Sequence, residues 1–291
     1  MAREATATRL LNSSARNSYD PDIDIDWDAP VPDDKMYMPA EHVSLYGTAL
    51  WERMTPEQRV TLSKHELASI IGTGLWFEII LMQMLARHAF RLDPRDPDAR
   101  YALTEIGDET RHVLMFGRSL EAFGCPAYRP PAVIDALARV YKALAWGPHL
   151  FAPVLVAEET LDRFQRAAMI DESVQPLTRM VNRIHVTEEA RHVRFAREEV
   201  ARVFPRLSPA AKAYHQLMTA LVSAAVVSVF ISKDVYAAAG LDPEEAVPVA
   251  RKNPHRHQHV RWMGEKIMGF LDDQGMVPWF TKPIYRAVHL L

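Results

Sequence analysis

Ile184-His185-Val186-Thr187-Glu188-Glu189-Ala190-Arg191-His192-Val193-Arg194-Phe195 decides how this chain is read. His185, Glu189 and His192 stand at i, i+4 and i+7. At 3.6 residues per turn, those three side chains fall within roughly 60° of one another on a helix. One helix face therefore presents imidazole, carboxylate and imidazole over two turns, which is a metal-binding face.

The other side of such a site is supplied upstream. Glu109-Thr110-Arg111-His112 repeats the Glu-x-x-His spacing of Glu189-Ala190-Arg191-His192, and the strings D-E-T-R-H-V and E-E-A-R-H-V agree beyond the motif itself. A lone Glu-x-x-His arises by chance about once in a chain this rich in acids and histidines, so context has to carry the argument. Two helices bearing Glu-x-x-His, joined by one carboxylate from each of two further helices, is the ligand pattern of di-iron helical bundles. Glu78 lies in L-W-F-E-I-I-L-M among apolar neighbours. An ionised carboxylate buried there alone costs several kcal/mol, roughly, and a cation offsets that. Glu66 has polar neighbours and reads as a surface residue. Glu158 shares its helix face with Phe151, Val154, Leu155 and Leu161, whereas Glu159 lies with Asp162 and Arg163. Glu158 is therefore the expected ligand and Glu159 a boundary residue.

The expected metal ligands are Glu78, Glu109, His112, Glu158, His185, Glu189 and His192. Oxygen-rich ligation with a few imidazoles suits iron or manganese better than zinc. Glu105, Asp108 and Asp162 lie within a turn of these ligands and are candidates for orienting an imidazole, with Arg111 and Arg191 as their partners.

The bulk composition agrees with a helical metalloprotein. The 291 residues are 48% hydrophobic with 11 Gly, a balance favouring helix over sheet. A net charge of -3 gives no electrostatic ground for nucleic acid as a partner. The single Cys125 excludes an internal disulfide and a cysteine-ligated cluster. The polar N-terminus lacks a signal-peptide apolar run. The window Leu217–Ile231, taken as the most apolar, is too short for a membrane span. A cytoplasmic protein without a membrane partner is expected.

Helix punctuation organises the rest. Residues 1–35 read as an extended N-terminal arm, because D-P-D-I-D-I-D-W-D-A-P-V-P-D-D is acidic and proline-broken. Residues 36–291 read as a single all-α domain. Thr55-Pro56-Glu57 starts a helix to about Arg91 with a nearly all-apolar middle, Leu67 to Ala86. Further helices are expected over Pro97–Phe123, from Pro130-Pro131 to Trp146, after the Gly147-Pro148 break with Pro153 near the start to about Asp171, and from Pro176 to before Pro205. Others run from Pro209 to Ala239 and over 243–251 and 255–273. The aromatic tail from Pro278 to Leu291 is expected to pack down.

The order Glu78, Glu109-x-x-His112, Glu158, His185-x-x-x-Glu189-x-x-His192 resembles the ferritin-like non-haem di-iron N-oxygenases, the p-aminobenzoate N-oxygenase (AurF-like) family. The marker is His185, an extra imidazole one turn before the second Glu-x-x-His. The resemblance implies a ferritin-like helical bundle with a di-metal site in its core and extra peripheral helices. It also implies a homodimer in secondary metabolism that uses two iron ions and O2, with manganese as a substitute. Such an enzyme oxidises a small amine through hydroxylamine towards nitroso and nitro via a peroxo-diferric intermediate, with electrons from a ferredoxin or reductase and with His185 tuning the irons. The first ligand helix carries no basic residue between Leu67 and Ala86, and Ile70, Thr73, Gly74 and Phe77 are apolar or small. That departure points to an amine more apolar than p-aminobenzoate, or to one carried on a larger scaffold. The rivals are a di-iron hydroxylase or desaturase acting on C–H bonds and a ferritin-like iron store. A radical-type subunit would want a tyrosine one turn past the first motif, where Phe116 stands, and no Tyr lies between 102 and 127.

Overall fold

The structure is a computed structural model, and it describes residues 2–291. Its elements are helices α1 (Ala2–Arg16), α2 (Pro21–Asp24), α3 (Ala49–Arg53), α4 (Pro56–Phe90), α5 (Pro97–Ala122), α6 (Ala132–Leu144) and α7 (Pro148–Ile170). They continue with α8 (Pro176–Val203), α9 (Pro209–Ser228), α10 (Asp234–Ala238), α11 (Pro243–Lys252), α12 (Pro254–Asp273) and α13 (Lys282–Ala287). No strand occurs among the described residues, and the protein is all-α.

Four of these helices build a ferritin-like bundle. α4 packs on α5, α7 packs on α8, and α5 meets α8. Short connections join each pair, while a longer crossover carrying α6 links α5 to α7, as bundles of this kind require. Local chemistry sets the ends. Thr55 accepts from the Gln58 amide while the Gln58 side chain accepts from the Thr55 amide, a reciprocal cap ahead of Pro56. Asp96 caps α5 ahead of Pro97, and Gly124 ends it at φ +62°. The crossover lies tight on α4. A Cβ at Gly72 would sit 2.3 Å from the Tyr128 carbonyl oxygen, so only glycine lets the two backbones meet. α6 lies on the outside, with Val133, Leu137, Val140 and Leu144 forming an exposed apolar stripe.

Helix α4 is long and apolar enough to cross a membrane, more so than the window chosen from sequence, but most of its apolar stretch is buried inside the protein. The core runs along its inward face through Leu62, Leu81, Met84 and Leu85.

Three expectations are corrected. The N-terminal segment is not extended: residues 2–16 are helical and pack on α5 and α8, with Ala7 and Leu10 buried. Its alanine- and arginine-rich sequence has good helix propensity. The acidic stretch after it makes only the short α2 before Trp27 Nε1 donates to the Pro21 carbonyl. Residue 1 lies outside the described residues. The helix expected to reach Ala239 stops at Ser228. The Val229 and Phe230 carbonyls accept instead from Thr73 Oγ1 and Ser69 Oγ of α4, both at 3.0 Å, so leaving the helix orphans neither group. Glu66 is not a surface residue. It is fully buried, and the Ser44 amide and hydroxyl donate to its two oxygens. Burial pushes its carboxyl up to about 7 against those hydrogen bonds.

Candidate metal centre

Each bundle helix turns its expected ligand inward. α4 supplies Glu78; α5 supplies Glu109 and His112; α7 supplies Glu158; α8 supplies His185, Glu189 and His192, and all seven are buried. The two Glu-x-x-His motifs meet across the α5–α8 contact. His112 Nδ1 lies 3.0 Å from Glu109 and 3.5 Å from Glu189, while His192 Nδ1 lies 2.9 Å from Glu189 and 3.1 Å from Glu109. His185 Nε2 faces Glu78 at 3.5 Å and Glu189 at 3.9 Å. Glu158 brings an oxygen within 4.8 Å of donor atoms on both His185 and Glu189.

The imidazole tautomers follow from what lies behind each ring. His192 Nε2 sits 3.2 Å from Asp108, and His112 Nε2 sits 3.0 Å from Glu188. The acid preceding each motif glutamate thus backs the histidine of the opposite motif, an exchange across the two helices. Such a carboxylate holds the proton on Nε2 and leaves the Nδ1 lone pair facing the centre. His185 is turned the other way. Its Nδ1 donates to Gln165 Oε1 at 2.7 Å, which leaves Nε2 for the centre. Arg191 ties Asp108 and Glu188 together at 3.2 and 3.3 Å, and Arg111 also pairs with Asp108. The N-terminal segment closes over this network, because the Tyr19 amide donates to Glu188 and the Asn17 carbonyl accepts from Arg191.

Several buried atoms in and beside the centre make no hydrogen bond within the protein: Glu78 Oε2, Glu105 Oε2, Glu189 Oε2 and His185 Nε2. Orphaned acceptors packed this closely fit a cation-binding role. Proton occupancy agrees. Burial, then neighbouring carboxylates, push Glu78 and Glu158 well above the ordinary range. Burial opposes charge on His112 and His192, but the surrounding carboxylates outweigh it, holding His112 at about 10 and His192 well above its usual value. Glu109 is driven up by burial yet ends low, because His192 and His112 flank it. Four carboxylates and three imidazoles therefore fit two divalent or trivalent cations, with Glu109 and Glu189 central and Glu78 and Glu158 outer.

Of the flanking acids, Asp108 touches an imidazole. Glu105 brings an oxygen within 4.8 Å of donor atoms on Glu109 and His192, and burial raises its carboxyl to about 8. Asp162 orients no imidazole. It pairs with Arg166 at 2.8 Å, since its place on α7 turns it outward. Glu188 and Gln165 were missed from the sequence. The signal for Glu188 was the acid immediately before each motif glutamate, Asp108 in one and Glu188 in the other. Tyr101, one residue outside the span searched for a redox tyrosine, is buried, but its hydroxyl makes no hydrogen bond to the centre.

Glu188→Gln keeps the shape behind His112 and removes the charge. Metal affinity should fall about 10- to 100-fold, the usual loss for such partners. A competitive chelator titration measures this, and an unchanged affinity would show that Glu188 does not act through His112.

The sequence matches, over residues 1–275, the family described as P-aminobenzoate N-oxygenase AurF. The chain belongs to this AurF family. It is also 30% identical over 209 residues to uncharacterized proteins of Mycobacterium bovis and Mycobacterium tuberculosis. The match covers 68% of this chain and 61% of each relative, so the chain spans about three-fifths of the length of the curated relatives it matches.

In this AurF-family chain a cavity ends on the Glu78, Glu158 and His185 side of the centre. Its walls are mainly apolar, with Phe77, Phe116, Phe164 and Phe230 prominent, and include no Lys or Arg. Val226 from the last turns of α9 and Phe230 just past its end both line it. Arg163 and Arg166 do not reach it; they bind Glu265 and Asp162 instead. The free space is about 30 Å³. That is room for a water or two, so a ring-sized guest must displace lining side chains.

Proposed function

We propose that this chain is a non-haem di-iron oxygenase that uses dioxygen to oxidise the nitrogen of a small, largely apolar amine. The observation carrying this is a cation-free apolar cavity that ends on a seven-residue carboxylate–imidazole cluster with His185 at their junction. Two irons held there supply dioxygen activation. The first step balances as R–NH2 + O2 + two electrons + two protons giving R–NHOH + H2O, and repetition leads towards nitroso and nitro products. The electrons come from an external donor protein, a ferredoxin or a reductase. Within the chain, the phenylalanine walls exclude bulk water and the cavity steers the amine nitrogen to Glu78, Glu158 and His185. Asp108, Glu188 and Gln165 hold the three imidazoles in the orientations described above. The substrate in the family's name, p-aminobenzoate, bears a carboxylate that this cavity offers no cation to meet, so a neutral arylamine is the better fit.

The test is anaerobic loading with ferrous iron, chemical reduction, and mixing with oxygen and a panel of aryl and alkyl amines. Hydroxylamine, nitroso or nitro product by mass spectrometry supports the proposal. Hydroxylated or dehydrogenated carbon would move the activity to C–H substrates, and uptake of many irons per chain would make it a store.

His185→Ala separates binding from turnover. Six ligands remain, so iron should stay bound, while N-oxidation drops by at least about tenfold through loss of one iron's nitrogen donor. Iron analysis and product yield are read together. Full turnover would remove His185 from the chemistry.

A further inference from the structure

The cavity that ends at His185 contains two polar groups that the protein leaves unsatisfied. Asn182 Nδ2 and Thr178 Oγ1 both line it, are 4% and 3% exposed as residues, and have no hydrogen-bond partner. Buried donors and hydroxyls are nearly always paired, so each calls for a partner from outside the chain: water in the resting cavity, or a ligand oxygen that takes the water's place.

Their position says where that partner sits. Thr178, Asn182, His185 and Glu189 follow one another at spacings of four, three and four on α8, so they form one stripe along a single helix face. At 1.5 Å of rise per residue, Asn182 lies about 4.5 Å and Thr178 about 10.5 Å along the axis from His185. A molecule with its nitrogen at the centre would run along this stripe once the lining side chains give way, bringing its far end to the Asn182 amide and the Thr178 hydroxyl.

Charge says what the far end is. The titratable walls of the cavity are Glu78, Glu158 and His185, all at the metal end. A carboxylate at the other end would lose its hydration with no cation to replace it. A hydrocarbon end would leave Asn182 and Thr178 unpaired. A neutral oxygen, such as that of an amide, ester, ether or hydroxyl, satisfies both groups without a charge. Resting on the amine-oxidation proposal above, we infer that Asn182 and Thr178 select arylamines carrying a neutral hydrogen-bonding oxygen opposite the amine.

Equilibrium binding to the iron-loaded chain without reductant tests this, with 4-aminobenzamide, 4-methylaniline and 4-aminobenzoate as probes. The amide should bind about tenfold more tightly than the carboxylate and more tightly than the methyl compound. Asn182→Leu should weaken the amide about tenfold and leave 4-methylaniline within about twofold. Thr178→Val should shift it in the same direction, and Asn182→Ser substitutes if the leucine disturbs folding. Iron content and melting temperature serve as controls. Equal affinity for amide and carboxylate, or equal losses for amide and methyl compound in the variants, would overturn the inference. If 4-methylaniline is still N-oxidised in that case, amine oxidation stands and only the anchor falls. If none of the probes binds, the anchor falls, and the aryl and alkyl amine panel decides amine oxidation by itself.

Discussion

Replacing Glu189 with alanine is expected to leave the chain unable to hold a pair of irons. Glu189 takes part in two ligand groupings, one with Glu109 and His112 and one with Glu158 and His185. Its Oε1 lies 2.9 Å from His192, 3.5 Å from His112 and 3.9 Å from His185, so one carboxylate faces all three imidazoles. Removing an outer ligand such as Glu158 takes a donor from one side of the centre, whereas removing Glu189 takes one from both. It also removes the negative charge that lets the remaining acids and bases share a cavity with cations. After anaerobic loading and desalting, the variant should retain less than about one iron per chain, against about two for the parent. Glu159→Ala is the matched control. That acid is half-buried, pairs with Arg197 and belongs to none of the ligand groupings, so its loss should leave iron content unchanged. Two irons retained in Glu189→Ala would displace Glu189 from the middle of the centre.

That the seven expected ligands gather at inward helix faces was legible because their geometry is local. Spacings of three and four on a helix fix which side chains share a face, whatever the rest of the chain does. Glu78 was legible for a different reason: a carboxylate among apolar neighbours on a buried helix calls for compensation. What stayed hidden depends on contacts between distant segments. Glu188 stands inside the quoted stretch, but its role comes from His112 on another helix. Glu66 looks polar in its own neighbourhood and is buried only because the loop bearing Ser44 closes over it. The end of α9 is set by hydroxyls at Ser69 and Thr73, more than 150 residues upstream. The N-terminal helix was locally readable in its alanine and arginine content, but the aspartate-rich stretch after it dominated the expectation for the whole arm. Gln165 carried no pattern of its own. Only the orientation of His185 reveals that its Nδ1 needs an acceptor.

Raising the pH should tighten metal binding steeply while weakening the metal-free fold. Without metal, carboxylates hold protons on His112, to about 10, and on His192 well above its usual value, both against burial. Burial and like charge keep Glu78 and Glu158 protonated well above the ordinary carboxylate range. Metal needs all four groups deprotonated, so loading two ions near pH 7 should expel up to about four protons. Each displaced proton adds about tenfold in affinity per pH unit until its group titrates. Calorimetry with manganous ion in buffers of different ionisation enthalpy counts those protons, and fewer than about one would contradict the assignment. The stability of the metal-free chain moves the opposite way. A group whose folded pKa is raised contributes stability that is complete below its unfolded value and lost as pH rises through the folded one. For His112 that window runs from 6.5 to about 10. His192 acts in the same sense above 6.5, and Glu78 and Glu158 do so above 4.5. Glu109 is lowered, so its contribution is complete above 4.5 and fades only in acid, leaving it constant here. The melting temperature of the metal-free chain should therefore fall between about pH 6 and 9, while that of the loaded chain holds. The gap between them widens with pH because the same protons that stabilise the metal-free centre are the ones metal must displace. Parallel curves for the two forms would mean that the protons sit elsewhere.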